Sequence, residues 1–239
     1  MKWHVVCITL PFTKIRSLNR FESKVYSQNG EDGILQALFS KIGTTNKFCV
    51  EFGVENGAEC NTRYLREKKN WTGLLMDGGG TQPSCIKKEF ITSDNINDLF
   101  KKYNVPKTFD LLSIDIDGND YWVWKSLDTN YIPRVVVIEY NAKIPPSESK
   151  TIAYDPAFRW DGSDYYGASL GALVKLAQTK GYTLAGCERQ GVNAFFIRNE
   201  ELDGKFVIQE LRELYKPPRF GKKVDGGGWP SSRRSMINV

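Results

Sequence analysis

Phe48-Cys-Val-Glu-Phe-Gly-Val-Glu-Asn-Gly57, read together with Trp71-Thr-Gly-Leu-Leu-Met-Asp77, decides the fold. The first segment is a short apolar run that closes on Glu51-Phe52-Gly53 and passes, after Gly57, into a helix-compatible stretch. That is the punctuation of a strand turning into a helix beneath a nucleotide. The second is another apolar run closed by a carboxylate. Asp77 lies 20 residues past Gly57, where nucleotide-binding α/β folds place the group that accepts hydrogen bonds from ribose hydroxyls. The pair predicts a nucleoside-binding crevice at the carboxyl ends of two strands.

The loop chemistry argues against a dinucleotide. A pyrophosphate calls for G-x-G-x-x-G, which turns bare backbone and a positive helix end towards its charge. Here the loop is Gly53-x-x-x-Gly57 and carries Glu51 and Glu55. Two carboxylates repel a pyrophosphate, yet they suit a ligand with an ammonium group and a sulfonium, the charges that S-adenosylmethionine (SAM) carries beside its adenosine. On these residues the chain resembles the class I SAM-dependent methyltransferases, whose first motif is a strand ending in an acidic residue followed by Gly-x-x-x-Gly. The alternative for the motif alone is a buried strand and an ordinary glycine turn; Asp77 shifts the balance towards SAM.

A third constellation is Phe109-Asp-Leu-Leu-Ser-Ile-Asp-Ile-Asp-Gly-Asn-Asp-Tyr121. Strand alternation sends Asp115 and Asp117 to one side, at a strand end where open α/β sheets bind ligands. Three uses fit them: a general base for a hydroxyl or amine, a divalent metal site, or a hold on the SAM amino group. Asp120 reads instead as part of the cap of the next helix. With the first motif, this segment resembles the FkbM-type methyltransferases, in which a strand of the form hydrophobic-Asp-hydrophobic-Asp/Glu-Gly follows the SAM motifs. The likeness covers roughly residues 25 to 198. It departs at Glu51, where many members have Asp, and at Glu55, which maps onto no family role. The resemblance implies that Glu51, Gly53 and Gly57 hold the methionine portion, with no room for a β-carbon at either glycine. It implies that Asp77 holds the ribose and Asp115 the amino group or the acceptor. Asp94, after the third strand, either approaches the adenine or caps the following helix. The strand Arg134-Val-Val-Val-Ile-Glu-Tyr140 would bring Glu139 and Asn141 towards Asp115 and Asp117. Asp117 and Glu139 are then the candidate base, or ligands of a magnesium ion, with the metal-free version preferred. Histidine is absent apart from His4, so base work falls to a carboxylate.

Periodicity fills in the frame. A helix over 31–43 puts Ile34, Leu35, Leu38, Phe39 and Ile42 on one face, entered through Asn29 or Gly30, with Glu31 and Asp32 in its first turn. Strands over 47–52, 73–77, 87–92, 109–115 and 134–140 alternate with helices over 59–69 and 95–103. A helix over 168–180, strands over 182–187 and 193–197, and a last helix over 206–215 follow. The alternation predicts an α/β, Rossmann-like, doubly wound and mainly parallel seven-stranded sheet with a terminal antiparallel hairpin. Residues 1–24 read as a leader or edge strand, 25–215 as the methyltransferase-like domain with a loop insertion over 141–167, and 216–239 as a basic Gly/Pro-rich, solvated tail. The aromatic-rich part of the insertion, 154–166, reads either as a lid that stacks on a sugar or planar substrate or as a loop pinned by its own rings.

A hydrophobic fraction of 41% over 239 residues suffices for one large core. The five cysteines are odd in number and form no C-x-x-C pair, which points to reduced thiols, a cytoplasmic setting and neither zinc ribbon nor disulfide framework. The early apolar run is too short to span a membrane, although a secretory signal stays open. The charge of +5 is spread along the chain, and nothing marks nucleic acid as partner. The reading is therefore SAM-dependent O-methylation of a small-molecule or sugar acceptor. Two rivals stand beside it: a metal-dependent glycosyltransferase using Asp115-Ile116-Asp117 as its D-x-D element, and a non-catalytic SAM-binding module.

Overall fold

The computed structural model describes residues 14–80, 83–221 and 227–239; His4 and most of the 1–24 leader lie outside them. The chain runs α1 (Glu31–Ile42), β1 (Phe48–Phe52), α2 (Arg63–Lys69), β2 (Thr72–Asp77), β3 (Ile86–Lys88), α3 (Ile96–Lys102), β4 (Thr108–Ile114), α4 (Asp120–Ser126) and β5 (Ile132–Glu139). It continues through β6 (Lys150–Thr151), α5 (Leu170–Thr179), β7 (Tyr182–Cys187), β8 (Asn193–Arg198), α6 (Leu211–Leu214) and β9 (Ile237–Asn238).

Seven strands form one sheet in the order β3-β2-β1-β4-β5-β8-β7. The first five are parallel neighbours, and β8 lies antiparallel to both β5 and β7. This is the Rossmann-like α/β sheet with the terminal hairpin that the periodicity predicts. Apolar strands alternate their side chains between two cores. Val50, Phe52, Leu112, Ile114, Val136 and Ile138 pack with α3, α4 and α5. Cys49, Leu111, Val135 and Val137 face α1 on the other side. The strand order reverses between β1 and β4, so their carboxyl ends splay into a crevice. Burial pushes the Cys49 thiol up to about 12, in keeping with an inert core position. No helix among the described residues is long and apolar enough to cross a membrane.

Helix α1 opens at Gly30, whose φ of 112° a side chain rarely adopts. Asp32 in its first turn accepts the N–H groups of Val25, Tyr26 and Ser27, fixing the chain that enters the helix. At the amino ends of the strands, Asp110 of β4 is fully buried. It accepts the backbone N–H groups of Thr45, Asn46 and Lys47 and a bond of 2.8 Å from Arg134 of β5. Arg134 also donates to the carbonyls of Ile42 and Gly43, so this pair joins α1, β4 and β5.

Three expectations change. Helix α2 begins at Arg63 rather than near 59, because residues 54–62 are drawn into turns. The last helix shrinks to Leu211–Leu214, since Phe206 bridges to Ile15 instead. The tail is not a solvated extension. β9 pairs antiparallel with β6 of the insertion, Trp229 packs edge-on against Trp160 at 4.7 Å, and Asp164 accepts the Ser232 N–H at 2.7 Å.

Two outcomes follow from these contacts. Asp110→Ala leaves three backbone N–H groups without their acceptor, while Arg134 keeps Glu201 at 2.6 Å and the two carbonyls, so urea unfolding should show a loss of about 1 to 3 kcal/mol. At the β7–β8 turn, Glu188 accepts N–H groups from Gln190, Val192 and Asn193, while burial, the larger influence, pushes its carboxyl up to about 7. An acid raised on folding favours the folded state below its ordinary value of 4.5 and loses that advantage as pH climbs through about 7. Thermal midpoints should therefore fall across that window, and fall less in Glu188→Gln.

Candidate functional site

The crevice is built by a crossing of two backbones. Gly53 follows β1 with φ +69°, and a β-carbon built there would lie 1.4 Å from the Asp115 carbonyl oxygen after β4. Its N–H meanwhile reaches the Met76 carbonyl of β2 at 3.1 Å. The chain then turns tightly, Gly57 N–H to Val54 carbonyl at 2.7 Å, with Glu55 in the left-handed region. Space beside Gly53 is thus limited by the chain's own backbone as much as by any ligand. Beside Gly57, a β-carbon would meet the Ile86 side chain at 3.2 Å.

Asp77 closes the next side. Its carboxylate accepts the Glu55 N–H at 2.8 Å and the Gly79 N–H at 2.6 Å, tying together the loops after β1 and β2. Between these loops and the end of β4 lies a cavity of about 270 Å³, with Gly53, Asp77, Phe90, Ile91, Asp117 and Asn119 in its wall. The insertion supplies the remaining wall through Phe158 and Arg159. The Arg159 guanidinium sits 3.6 Å over the Phe90 ring, so it spans the gap to the loop after β3. Phe158 presses on Gly118, where a β-carbon would meet its ring at 2.3 Å.

The candidate residues sort by what they touch. Glu51 is buried and faces away from the cavity. It accepts the Asn61 N–H at 2.6 Å, and the Thr62 N–H and hydroxyl at 3.1 and 2.5 Å, so it orders the turns that lead into α2. Burial raises its carboxyl despite those donors. Gly57 likewise stands outside the wall. Asp94 is exposed and accepts the Tyr154 hydroxyl at 2.7 Å; it neither caps α3 nor lines the cavity, to which the loop after β3 contributes Phe90 and Ile91. Asn141 is engaged in the insertion, donating to the Asp164 and Tyr166 carbonyls and accepting from Lys143 N–H.

Asp115, Asp117 and Glu139 do come together, each with an oxygen within 4.8 Å of the others. Glu139 is buried, Asp115 half-buried and Asp117 exposed. Burial, then mutual repulsion, raises the Asp115 and Glu139 carboxyls well above the usual range. Although Asp117 as a whole is exposed, the chain around its carboxyl desolvates that group and raises it, with the charges of Glu55 and Asp77 adding to the effect. Asp120 opens α4 without capping it; its carboxylate accepts instead the Ile116 and Gly118 N–H groups before the helix, each at 2.9 Å, and so holds the left-handed turn at Asp117.

Sequence reasoning gives no individual site role to Asn119, Tyr166, Phe90, Phe158 or Arg159. Asn119 contributes to the cavity wall and donates to the Asp155 carbonyl, while its carbonyl oxygen is buried with no partner among the described residues. The Gly118-Asn119 pair directly after Asp-x-Asp was the available signal. Phe158, Arg159 and Tyr166 lie in the aromatic-rich segment 154–166 read as a lid or a pinned loop, but nothing local tells which of its side chains the folding back of that loop brings to the site.

No family model matches the chain, and none of the curated proteins is a match. Among solved structures, the crystal structure of TnmH is similar at 14% identity and a TM-score of 0.35, over 63% of this chain and 49% of its own. The present chain thus spans about half the length of that protein. At this score the likeness carries no argument, and the fold rests on the strand order above.

Gly53→Ala should place a methyl group against the Asp115 carbonyl in a backbone conformation that L-residues rarely adopt. It should lower the thermal midpoint and ligand affinity together, read by scanning calorimetry beside ligand titration.

Proposed function

We propose that this protein is a SAM-dependent methyltransferase of FkbM-like type, acting on an oxygen nucleophile of a small molecule or carbohydrate. The observation that carries the reading is Asp77. It is a buried carboxylate at the end of β2, in the wall of a cavity that opens where the strand order reverses. Such a position suits ribose hydroxyls. The apolar Phe90 and Ile91 beside it suit an adenine, and Glu55 and Asp117 suit the positive methionine end. A polyphosphate would meet this acidic wall with Arg159 as the one countercharge among the described residues that line it.

Under this reading Glu51 and Gly57 shape the loop rather than touch the ligand, and Asp94 ties the insertion to the α3 entrance. Asp115, Asp117 and Glu139 face the acceptor. Methyl transfer is an in-line displacement at carbon, so alignment of the acceptor oxygen with the sulfonium methyl supplies most of the rate. A carboxylate of this cluster receives the hydroxyl proton.

Asp77→Asn keeps the side chain's size and one acceptor oxygen while removing the charge. Loss of the charge-assisted ribose contact should cost on the order of 1.5 to 3 kcal/mol, at least about a tenfold loss of SAM affinity in calorimetry. Unchanged affinity in a folded variant would sink the ribose assignment. Protection by UDP-sugar with manganese, but not by SAM, would replace it with the glycosyltransferase reading.

A further inference from the structure

We propose that the outer face of α1, with the segments 14–25 and 206–208 beside it, is a docking surface for an anionic lipid bilayer, on which the protein rests by its side chains. The inference stands apart from the methyl-transfer reading, since the groove on this face shares no residue with the cavity wall.

The groove is a product of small side chains and one close backbone approach. α1 packs Ile34, Leu35, Leu38, Phe39 and Ile42 against the sheet, which leaves Gly33, Gln36, Ala37 and Ser40 to line its other side. At Gly33 a β-carbon would lie 2.0 Å from the Phe21 carbonyl oxygen, and the Gly33 N–H reaches the Ser23 carbonyl at 3.2 Å. The chain around Phe21 and Ser23 is thereby laid along the start of α1. With Ile15 it bounds an open groove of about 550 Å³.

Ile15 brings in the second segment. It bridges to Phe206, its N–H donates to the Lys205 carbonyl and its carbonyl accepts the Val207 N–H, each at 2.9 Å. The Gln209 side chain donates to the Arg16 carbonyl. Val207 and Ile208 are in this way held beside the groove. Of the large apolar side chains exposed among the described residues, Phe21, Val25, Val207 and Ile208 all belong to these two segments, and the others are Phe90 and Ile237. Such a concentration, rimmed by polar groups, marks a site of interaction.

The rim selects the partner. Lys14, Arg16 and Arg20 are exposed and have no acidic partner among the described residues, and Lys24 meets Glu59 at 3.4 Å with both side chains more than half exposed. Glu22, the acid among them, is engaged by the Asn19 side chain and by Arg189. Asp203 and Glu210 flank the 206–208 segment, so the positive edge runs along 14–24. Lysine and arginine stems lie on apolar surface while their heads reach outward, and cations beside exposed apolar side chains are the pattern of a surface that sits among anionic headgroups. The most exposed apolar side chains, Val25 at 47% and Ile208 at 65%, stand outside the groove rather than in its wall. That arrangement suits wedging between headgroups more than receiving a protein segment.

The test is co-sedimentation of the full chain with vesicles of phosphatidylcholine alone and of phosphatidylcholine mixed with phosphatidylserine, beside sedimentation velocity of the protein by itself. The expected result is binding to the serine-containing vesicles that weakens as salt is raised and is much weaker on phosphatidylcholine alone. Lys14→Gln, Arg16→Gln and Arg20→Gln together should lower the affinity by about tenfold or more, and so should Phe21→Ser with Ile208→Ser. All five side chains are exposed, and circular dichroism checks that each variant keeps the fold. No binding to the serine-containing vesicles would overturn the proposal, as would binding that neither variant weakens or that is equal on phosphatidylcholine alone. A dimer in solution that the Phe21→Ser, Ile208→Ser chain loses, without vesicle binding, would reassign the face to a contact between copies.

Discussion

The passage of Gly53 across the Asp115 carbonyl is the constraint on which the rest of the site depends. A β-carbon would lie 1.4 Å from that oxygen, so the end of β1 can rest on the end of β4 only through a glycine. Because these are the two strands between which the order reverses, the contact sets how far the crevice opens. It also fixes where the following residues go. The Val54–Gly57 turn is delivered to Asp77, and the chain leaving Asp115 is delivered to the left-handed turn at Asp117. Several ionisable groups thereby take their positions from one backbone crossing.

The two ends of the sheet treat carboxylates in opposite ways. Asp110, at the amino end, is matched by Arg134 and by three backbone N–H groups. That is how a buried charge is made tolerable, and its effect is to join α1, β4 and β5. At the carboxyl end, Asp115 and Glu139 are crowded by further acids, and their protonated forms are favoured by burial and repulsion. An arrangement that raises its own free energy in this way is expected where binding, rather than folding, is served. Glu51 and Asp120 belong with Asp110 in this respect, since each is satisfied by nearby N–H groups and shapes the chain around the site.

What could be read from the sequence was what repeats or is local. Apolar runs located β1, β2, β4 and β5, whose side chains are buried on both faces, and the 3.6-residue spacing located α1. The nearness of Asp115, Asp117 and Glu139 followed from strand order. The reading weakened wherever a side chain chose a partner in the chain over one in the crevice. Glu51 carries the acid expected of a ligand contact, yet Asn61 and Thr62 lie within its reach and draw it the other way. Asp94 sits at the expected point after β3, but Tyr154 from the distant insertion takes its carboxylate. β6 and β9 span two residues each, too short for any period to register, and their pairing depends on residues nearly 90 apart. Tyr166 and Arg159 belong to that same fold-back.

The pairing of insertion and tail bears on how such a scaffold could be rebuilt. Lys143, Trp160 and Asp164 in the insertion face Trp229, Pro230 and Ser232 in the tail, and β6 pairs on one side with β9 and bridges through Thr151 to Ala168 on the other. The wall that carries Phe158 and Arg159 is therefore half of a two-part module whose other half is more than 60 positions downstream. A chimera that exchanged residues 141–167 alone would inherit rings and charges complementary to a surface it lacked. Recombination that respects this architecture must carry both segments across together, so diversity in the cavity wall is tied to diversity at positions 227–239 that never touch the cavity.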